Sequence, residues 1–235
     1  MSEFKPPKVM IGMPIGSGSL PWPTAASLIG TVRVCDKEGV PVKVEAPMGC
    51  SVVQWARSVV VEAFLKSDCT HLFWVDSDIV WTPDDFFRLL GFGATLDVVG
   101  AAYPIKAEPG GFIIKLFGEP GQRHVNGLGC VKILGMGIGF TLMKRAVVEK
   151  VAATKERVRD AVNGAEYADV FRVDRANGGP RGEDLAFFAD ARKLGFDVWL
   201  DPSIQLGHVG SKVYRGDVLA ALGLQDFVKG TSTDG

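Results

Sequence analysis

Only four cysteines occur in 235 residues, and Cys35, Cys50, Cys69 and Cys130 lie far apart, with no Cys-x-x-Cys pair. That spacing excludes a disulfide scaffold or a structural zinc site as the organising device and leaves reduced, mostly buried thiols. Histidine is scarce as well, with three residues. No uninterrupted apolar run approaches the ~20 residues of a membrane-crossing helix, and no signal-peptide core follows the opening MSEFKPPK. The expectation is a protein with no membrane span, at home in a reducing cytoplasm. Charge of one sign is also missing. Lys and Arg number 26 against 27 Asp and Glu, for a net charge of −1 and a pI near 6.3. Bulk electrostatics therefore announce neither nucleic acid nor an anionic membrane, and the partner has to be argued from sites.

What is present is a chain with 47% hydrophobic residues, long enough for one large core. The expected organisation is a single domain over residues 1–228 with a flexible tail at 229–235. Strand and helix signals alternate. Lys8 to Met13 is a short apolar run ending in a Pro14 and Gly-Ser loop. Thr24 then offers a cap for a helix carrying Ala25, Leu28, Ile29 and Val32. Val42 to Ala46 is a second strand, and Val52, Trp55, Ala56, Val59, Val60 and Ala63 recur at helical spacing. Thr82-Pro83-Asp84-Asp85 supplies a cap, a first-turn proline and first-turn acids. Leu96 to Tyr103 follows as another buried strand. Phe112 to Phe117 and Val131 to Leu134, between turns, suggest an antiparallel portion. The run Phe140-Thr141-Leu142-Met143 leading into a helix from Arg145, a mobile loop region with one helix over 153–180, broken at Asn163-Gly164 and Asn177-Gly178-Gly179, a helix over 182–194 stopped by Gly195, and a strand over 196–200 complete the pattern. This is an α/β chain with a mixed, mostly parallel central sheet flanked by helices.

The most informative stretch is His71-Leu72-Phe73-Trp74-Val75-Asp76-Ser77-Asp78, an apolar run ending in two carboxylates. A buried strand does not end in two unpaired acids, and their simplest partner is a divalent cation. Period-two alternation would put Asp76 and Asp78 on one side, able to share or flank one hard ion. Such an ion would lie at the carboxyl end of a strand, where open α/β sheets bind ligands. The competing reading makes the two acids ordinary strand-end caps. His71 and His124 are read as structural.

A buried strand ending in Asp-x-Asp, a later helix opening with Glu183-Asp184, and His208-x-Gly after the next strand together resemble the GT-A-fold, nucleotide-sugar-dependent glycosyltransferases. The likeness is strongest to small, family 2-like bacterial and phage members. The order of the motifs is more specific than any one of them, with 106 residues from Asp78 to Asp184 and 24 from there to His208. The resemblance implies a GT-A-type single domain, cytoplasmic in the host if the source is a virus. It implies a Mn²⁺ or Mg²⁺ cofactor and a nucleotide-sugar donor, UDP-sugar favoured. It also implies transfer to an acceptor hydroxyl of a saccharide, a protein or a hydroxymethylated DNA base.

By that resemblance Asp78 is the direct metal ligand, Asp76 touches the ribose or the metal shell, and His208 is a third ligand, its imidazole favouring Mn²⁺. Asp184 is the base that takes the acceptor proton in an inverting reaction, or a substrate-orienting group in a retaining one, and Glu183 binds acceptor. Both acids also suit a helix N-terminus for purely structural reasons. Nucleotide contacts fall to Pro14, Gly16 and Ser17 of the first loop, which is no P-loop since no Gly-Lys-Ser/Thr follows, and to Arg57, Asp76 and Ser77. Ser58 stands after Arg57 where an Asn is commoner in the family. Tyr103 and Lys106, just past a strand end, either face the donor sugar or form a turn with a solvated lysine, and Gly137, Ile138 and Gly139, in a segment lacking the dinucleotide spacing, form a close-approach loop under sugar or acceptor. Two other readings remain: a haloacid-dehalogenase-like phosphatase with Asp76 as nucleophile, and a non-catalytic nucleotide-sugar-binding relative. Residues 144–181 carry nine Lys or Arg against six Asp or Glu, a local excess read first as a solvated loop and second as suited to a phosphate-bearing acceptor such as modified DNA.

Overall fold

The computed structural model describes residues 6–119, 121–160, 164–176 and 178–225. The expected tail at 229–235, and Asn163 and Asn177 of the two expected chain breaks, lie outside them. The elements are β1 (Val9–Gly12), α1 (Trp22–Lys37), β2 (Val42–Glu45), α2 (Val53–Lys66), β3 (His71–Val75), β4 (Ile79–Val80), α3 (Pro83–Phe92), β5 (Val98–Gly100), β6 (Ile114–Leu116), β7 (Val131–Met136), β8 (Phe140–Lys144) and α4 (Arg145–Ala153). After them come β9 (Arg157–Arg159), β10 (Glu166–Ala168), β11 (Asp174–Ala176), β12 (Gly179–Arg181), α5 (Glu183–Lys193), β13 (Val198–Leu200), β14 (Gly207–Val209), β15 (Val213–Arg215) and α6 (Val218–Leu222).

Eight strands form the main sheet in the order β2-β1-β3-β8-β5-β13-β7-β6. Among the described residues three neighbouring pairs are parallel, β1 with β2 and β3 and β5 with β13. The other four are antiparallel. The sheet is mixed, and its parallel character belongs to the β2-β1-β3 half more than to the whole. Side chains of β3 alternate across it. Leu72 and Trp74 enter a core with Val60 and Phe64 of α2, Val147 and Val151 of α4 and Phe187 and Phe188 of α5. Phe73 and Val75 enter the opposite core with Phe86 and Leu89 of α3 and Cys35 of α1. The molecule thus has three layers, helices on both faces of one sheet.

Local signals explain most boundaries. Thr82 and Asp85 form the expected reciprocal cap of α3, and Gly195, with φ +90°, follows α5. Other expectations need correction. The cap position of α1 is Pro21, while Thr24 lies buried inside the helix. The inward face of α1 is Thr24, Ser27, Thr31 and Cys35, with Ile29 and Val32 outward. The physical reason is Trp81: Ser27 Oγ donates to its carbonyl at 2.7 Å, and its indole Nε1–H donates to Thr31 Oγ1 at 2.8 Å. Helix α2 is likewise turned from the expected face, burying Arg57, Val60, Val61 and Phe64 and leaving Trp55 54% exposed. The segment after α4 holds two hairpins, β9 with β10 and β11 with β12, and no helix among its described residues.

Candidate active site

Arg57 is the centre of the site. Its side chain is 4% exposed, and its guanidinium donates to three carboxylates: Nη2 to Asp76 Oδ1 at 2.8 Å, Nη1 to Glu183 Oε1 at 3.2 Å, and Nη1 again to Asp184 Oδ1. A buried cation needs such partners. Burial works against its charge, but Asp76 and Asp184 outweigh it and hold the proton more firmly than usual. Three acids around one arginine leave negative charge in excess. Burial, with Asp76 and Glu183 adding to it against the pull of Arg57, lifts Asp184 to about 6. The second oxygen of Asp184 accepts the Ile138 N–H at 3.2 Å.

The acids at the end of β3 do not act as one pair. The strand stops at Val75, and a turn closed by Ile79 N–H donating to the Asp76 carbonyl at 3.2 Å breaks the alternation. Asp76 accepts from Arg57 and, through Oδ2, from the Tyr103 hydroxyl at 3.0 Å. Burial next to Asp76 raises the Tyr103 hydroxyl well above its ordinary range, so it stays a donor. Asp78 turns elsewhere. Its Oδ2 accepts from Lys106 Nζ at 2.5 Å, and its Oδ1 lies 3.4 Å from His208 Nε2. Burial opposes the charge of Asp78, yet the bonds from His208 and Lys106 prevail and hold it below the usual carboxylate range.

His208 reaches Asp78 through a small sheet invisible in the sequence pattern, β15-β14-β4. His208 lies opposite Ile79, and Val209 N–H donates to the Asp78 carbonyl at 2.7 Å. Its Nδ1 sits 2.8 Å from the Pro104 carbonyl. A carbonyl only accepts, so Nδ1 carries hydrogen, and Nε2 is the ring atom that faces the Asp78 carboxylate. Among the described residues no group of three or more His, Cys, Asp or Glu is arranged for a metal ion. Asp78 and His208 nevertheless fit a cation that completes its coordination with substrate oxygens and water, as Mg²⁺-type sites do. Asp76 gives one oxygen to Arg57 and the other to Tyr103.

The glycines of 135–139 are explained by close approach. A Cβ on Gly139 would overlap the Asp76 carboxylate, one on Gly137 would stand 2.5 Å from the Tyr103 hydroxyl, and one on Gly135 would meet Leu185 of α5 at 3.0 Å. The segment lets acid, tyrosine and helix converge, and Ile138, itself fully buried, contributes its backbone N–H.

Two cavities of about 350 Å³ meet at Tyr103, Glu183, Asp184 and His208. The more polar one runs from Pro14 and Gly16 past Cys50, Ser51 and Arg57 to Asp76, Ser77 and Asp78. The other is walled by Ala102, Ile105, Ile113, Met136 and Leu185, with Gly137. Ser17 is turned away, its hydroxyl donating to the Ser19 carbonyl at 3.1 Å. The apolar walls and the Cys50-Ser51 rim escaped the sequence reading, since their residues follow no motif or period. The basic excess of 144–181 is largely neutralised: Lys144, Arg145, Lys155, Arg157 and Arg181 each pair with an acid. Among the described residues no helix is long and apolar enough to cross a membrane.

No family profile and no curated protein sequence matches the chain. Solved structures do. A197 from STIV aligns with a TM-score of 0.54 at 20% identity over 86% of each chain. GalNAc-T7, solved with UDP, GalNAc and Mn²⁺, aligns with a TM-score of 0.56 at 10% identity over 91% of this chain and 45% of its own. At these identities the likeness is one of fold. The fold is GT-A-like, a mixed sheet with helices on both faces.

Proposed function

We propose that the protein is a divalent-metal-dependent glycosyltransferase that moves a sugar from a nucleoside diphosphate sugar to an acceptor hydroxyl. One observation carries this reading: Asp184, a carboxylate lifted to about 6, stands at the junction of the two cavities. The polar cavity suits nucleotide and diphosphate, with Pro14, Gly16, Arg57 and Ser77 along it; UDP is favoured because a structure of similar fold, GalNAc-T7, holds UDP with Mn²⁺. A divalent cation held by Asp78 and His208, when bound, supplies neutralising charge to the leaving diphosphate.

The remaining work falls to side chains. The acceptor oxygen attacks the anomeric carbon as the bond to the diphosphate oxygen breaks, and the hydroxyl proton passes to Asp184. Arg57 fixes the direction of that carboxylate, Ile138 N–H holds its second oxygen, and Glu183 faces the acceptor beside it. Asp76 positions Tyr103 and Arg57. A phosphatase using Asp76 as nucleophile is the less favoured reading, since a structure of similar fold, GalNAc-T7, holds UDP and Mn²⁺.

Thermal stabilisation by a panel of nucleotide sugars, with and without Mn²⁺, tests the donor side. An acceptor panel of saccharides, peptides and hydroxymethylated DNA then tests transfer. Metal-dependent stabilisation followed by transfer supports the proposal; stabilisation without turnover supports the non-catalytic relative. No stabilisation by any nucleoside diphosphate compound refutes both.

A further inference from the structure

We propose that Lys106 is a resident counter-cation for Asp78, one that a divalent ion has to displace and that then turns to the diphosphate. This rests on the metal site of the proposed function. The Lys106 ammonium lies 2.5 Å from Asp78 Oδ2, on the oxygen opposite the one facing His208. Its place is built into the backbone. Lys106 follows two residues after Pro104, whose carbonyl fixes the His208 ring, so one loop sets both the ring and the ammonium. Its stem crosses Gly210, where a Cβ would stand 3.2 Å from Lys106 Cδ and 3.6 Å from Cγ. A Cβ at 210 would also stand 3.1 Å from Tyr214 Cε2, so the lysine stem and that ring would have to give by a few tenths of an ångström.

The charge arithmetic gives the arrangement a consequence. Without a metal, the ammonium neutralises Asp78 and spares the site an uncompensated acid. A divalent ion settling between Asp78 and His208 would then lie a few ångströms from a unit positive charge, a repulsive pairing in a partly desolvated cleft. The lysine side chain is 37% exposed, and its flexible stem allows it to swing out. Diphosphate oxygens arriving with the donor give the displaced ammonium a new anionic partner. Metal alone therefore binds weakly, and metal with nucleotide binds well.

The test is Mn²⁺ titration followed by the electron paramagnetic resonance signal of the free ion, for wild type, Lys106→Met, Gly210→Ala and Asp78→Asn, with and without UDP. Without UDP, Lys106→Met should bind Mn²⁺ about tenfold more tightly than wild type, equivalent to about 1.4 kcal/mol, with Gly210→Ala between the two. At saturating Mn²⁺ the same Lys106→Met protein should bind UDP more weakly. Mn²⁺ affinity in Lys106→Met equal to or below wild type overturns the counter-cation role. Unchanged Mn²⁺ affinity in Asp78→Asn overturns instead the metal site on which the role depends.

Discussion

His208 Nε2 lies 3.4 Å from Asp78 Oδ1, although 130 positions separate the two residues in the chain. The approach is fixed twice, by the strand register that sets His208 opposite Ile79 and by the Pro104 carbonyl on the far ring nitrogen. His208→Ala should therefore weaken Mn²⁺ binding by at least about tenfold, since even the outer partners of metal ligands cost that much. Titration in the presence of UDP measures it. Mn²⁺ affinity equal to wild type would remove His208 from the ligand set.

Arg57→Met leaves Asp76, Glu183 and Asp184 without their shared cation. Breaking a buried ionic cluster from one side costs about 3–5 kcal/mol, and the loss should shrink as pH falls and the acids take up protons. Thermal melts at pH 5 and pH 8 check both statements. A loss of equal size at the two pH values would mean that packing against Phe171, 5.7 Å from the guanidinium, matters more than charge.

Asp184 links stability and activity to pH with opposite signs. Its pKa is about 6 in the folded protein against an ordinary 3.8. Protonation is thus easier in the fold, so its stabilising contribution is complete below about 3.8 and is lost as pH rises through about 6. A difference of about two pH units corresponds to about 3 kcal/mol at most. The stability advantage of wild type over Asp184→Asn should shrink from pH 4.5 to pH 8. Transfer, which needs the ionised base, should instead rise through the same interval and be absent in Asp184→Asn at every pH.

Gly139→Ala puts a methyl group where the Asp76 carboxylate now lies. Displacing the acid breaks its bonds from Arg57 and Tyr103, and overpacking of this kind costs about 1–3 kcal/mol. Transfer should fall by more than the stability loss explains at temperatures where the variant is folded. Gly127→Ala, with open space at the same position, is the matched control and should be silent.

Sequence reasoning found what is local. The run into Asp76, the cap at Thr82 and the helix opening with Glu183 carry their own chemistry, and the structure puts each where its neighbours require. It failed where a partner distant in the chain decides. Ile29 and Val32 belong to an apolar pattern, yet Trp81 captures Ser27 and Thr31 and turns α1 the other way. In α2 the same periodicity pointed to Trp55, whereas three acids from other elements draw Arg57 inward. The split fates of Asp76 and Asp78 follow from a turn that spacing alone does not reveal. Short hairpins over 157–181 have too few apolar residues to show alternation, and so resembled a loop.

The placing of β8 between β3 and β5 has a consequence for biogenesis. Strand β3, with its Leu72-Phe73-Trp74-Val75 run, receives its second neighbour only when residues 140–144 arrive. On a ribosome the first hundred residues would emerge with that apolar edge uncovered, a template for unwanted strand pairing. Slow translation or truncation before Lys144 should yield aggregates rather than a soluble half-domain.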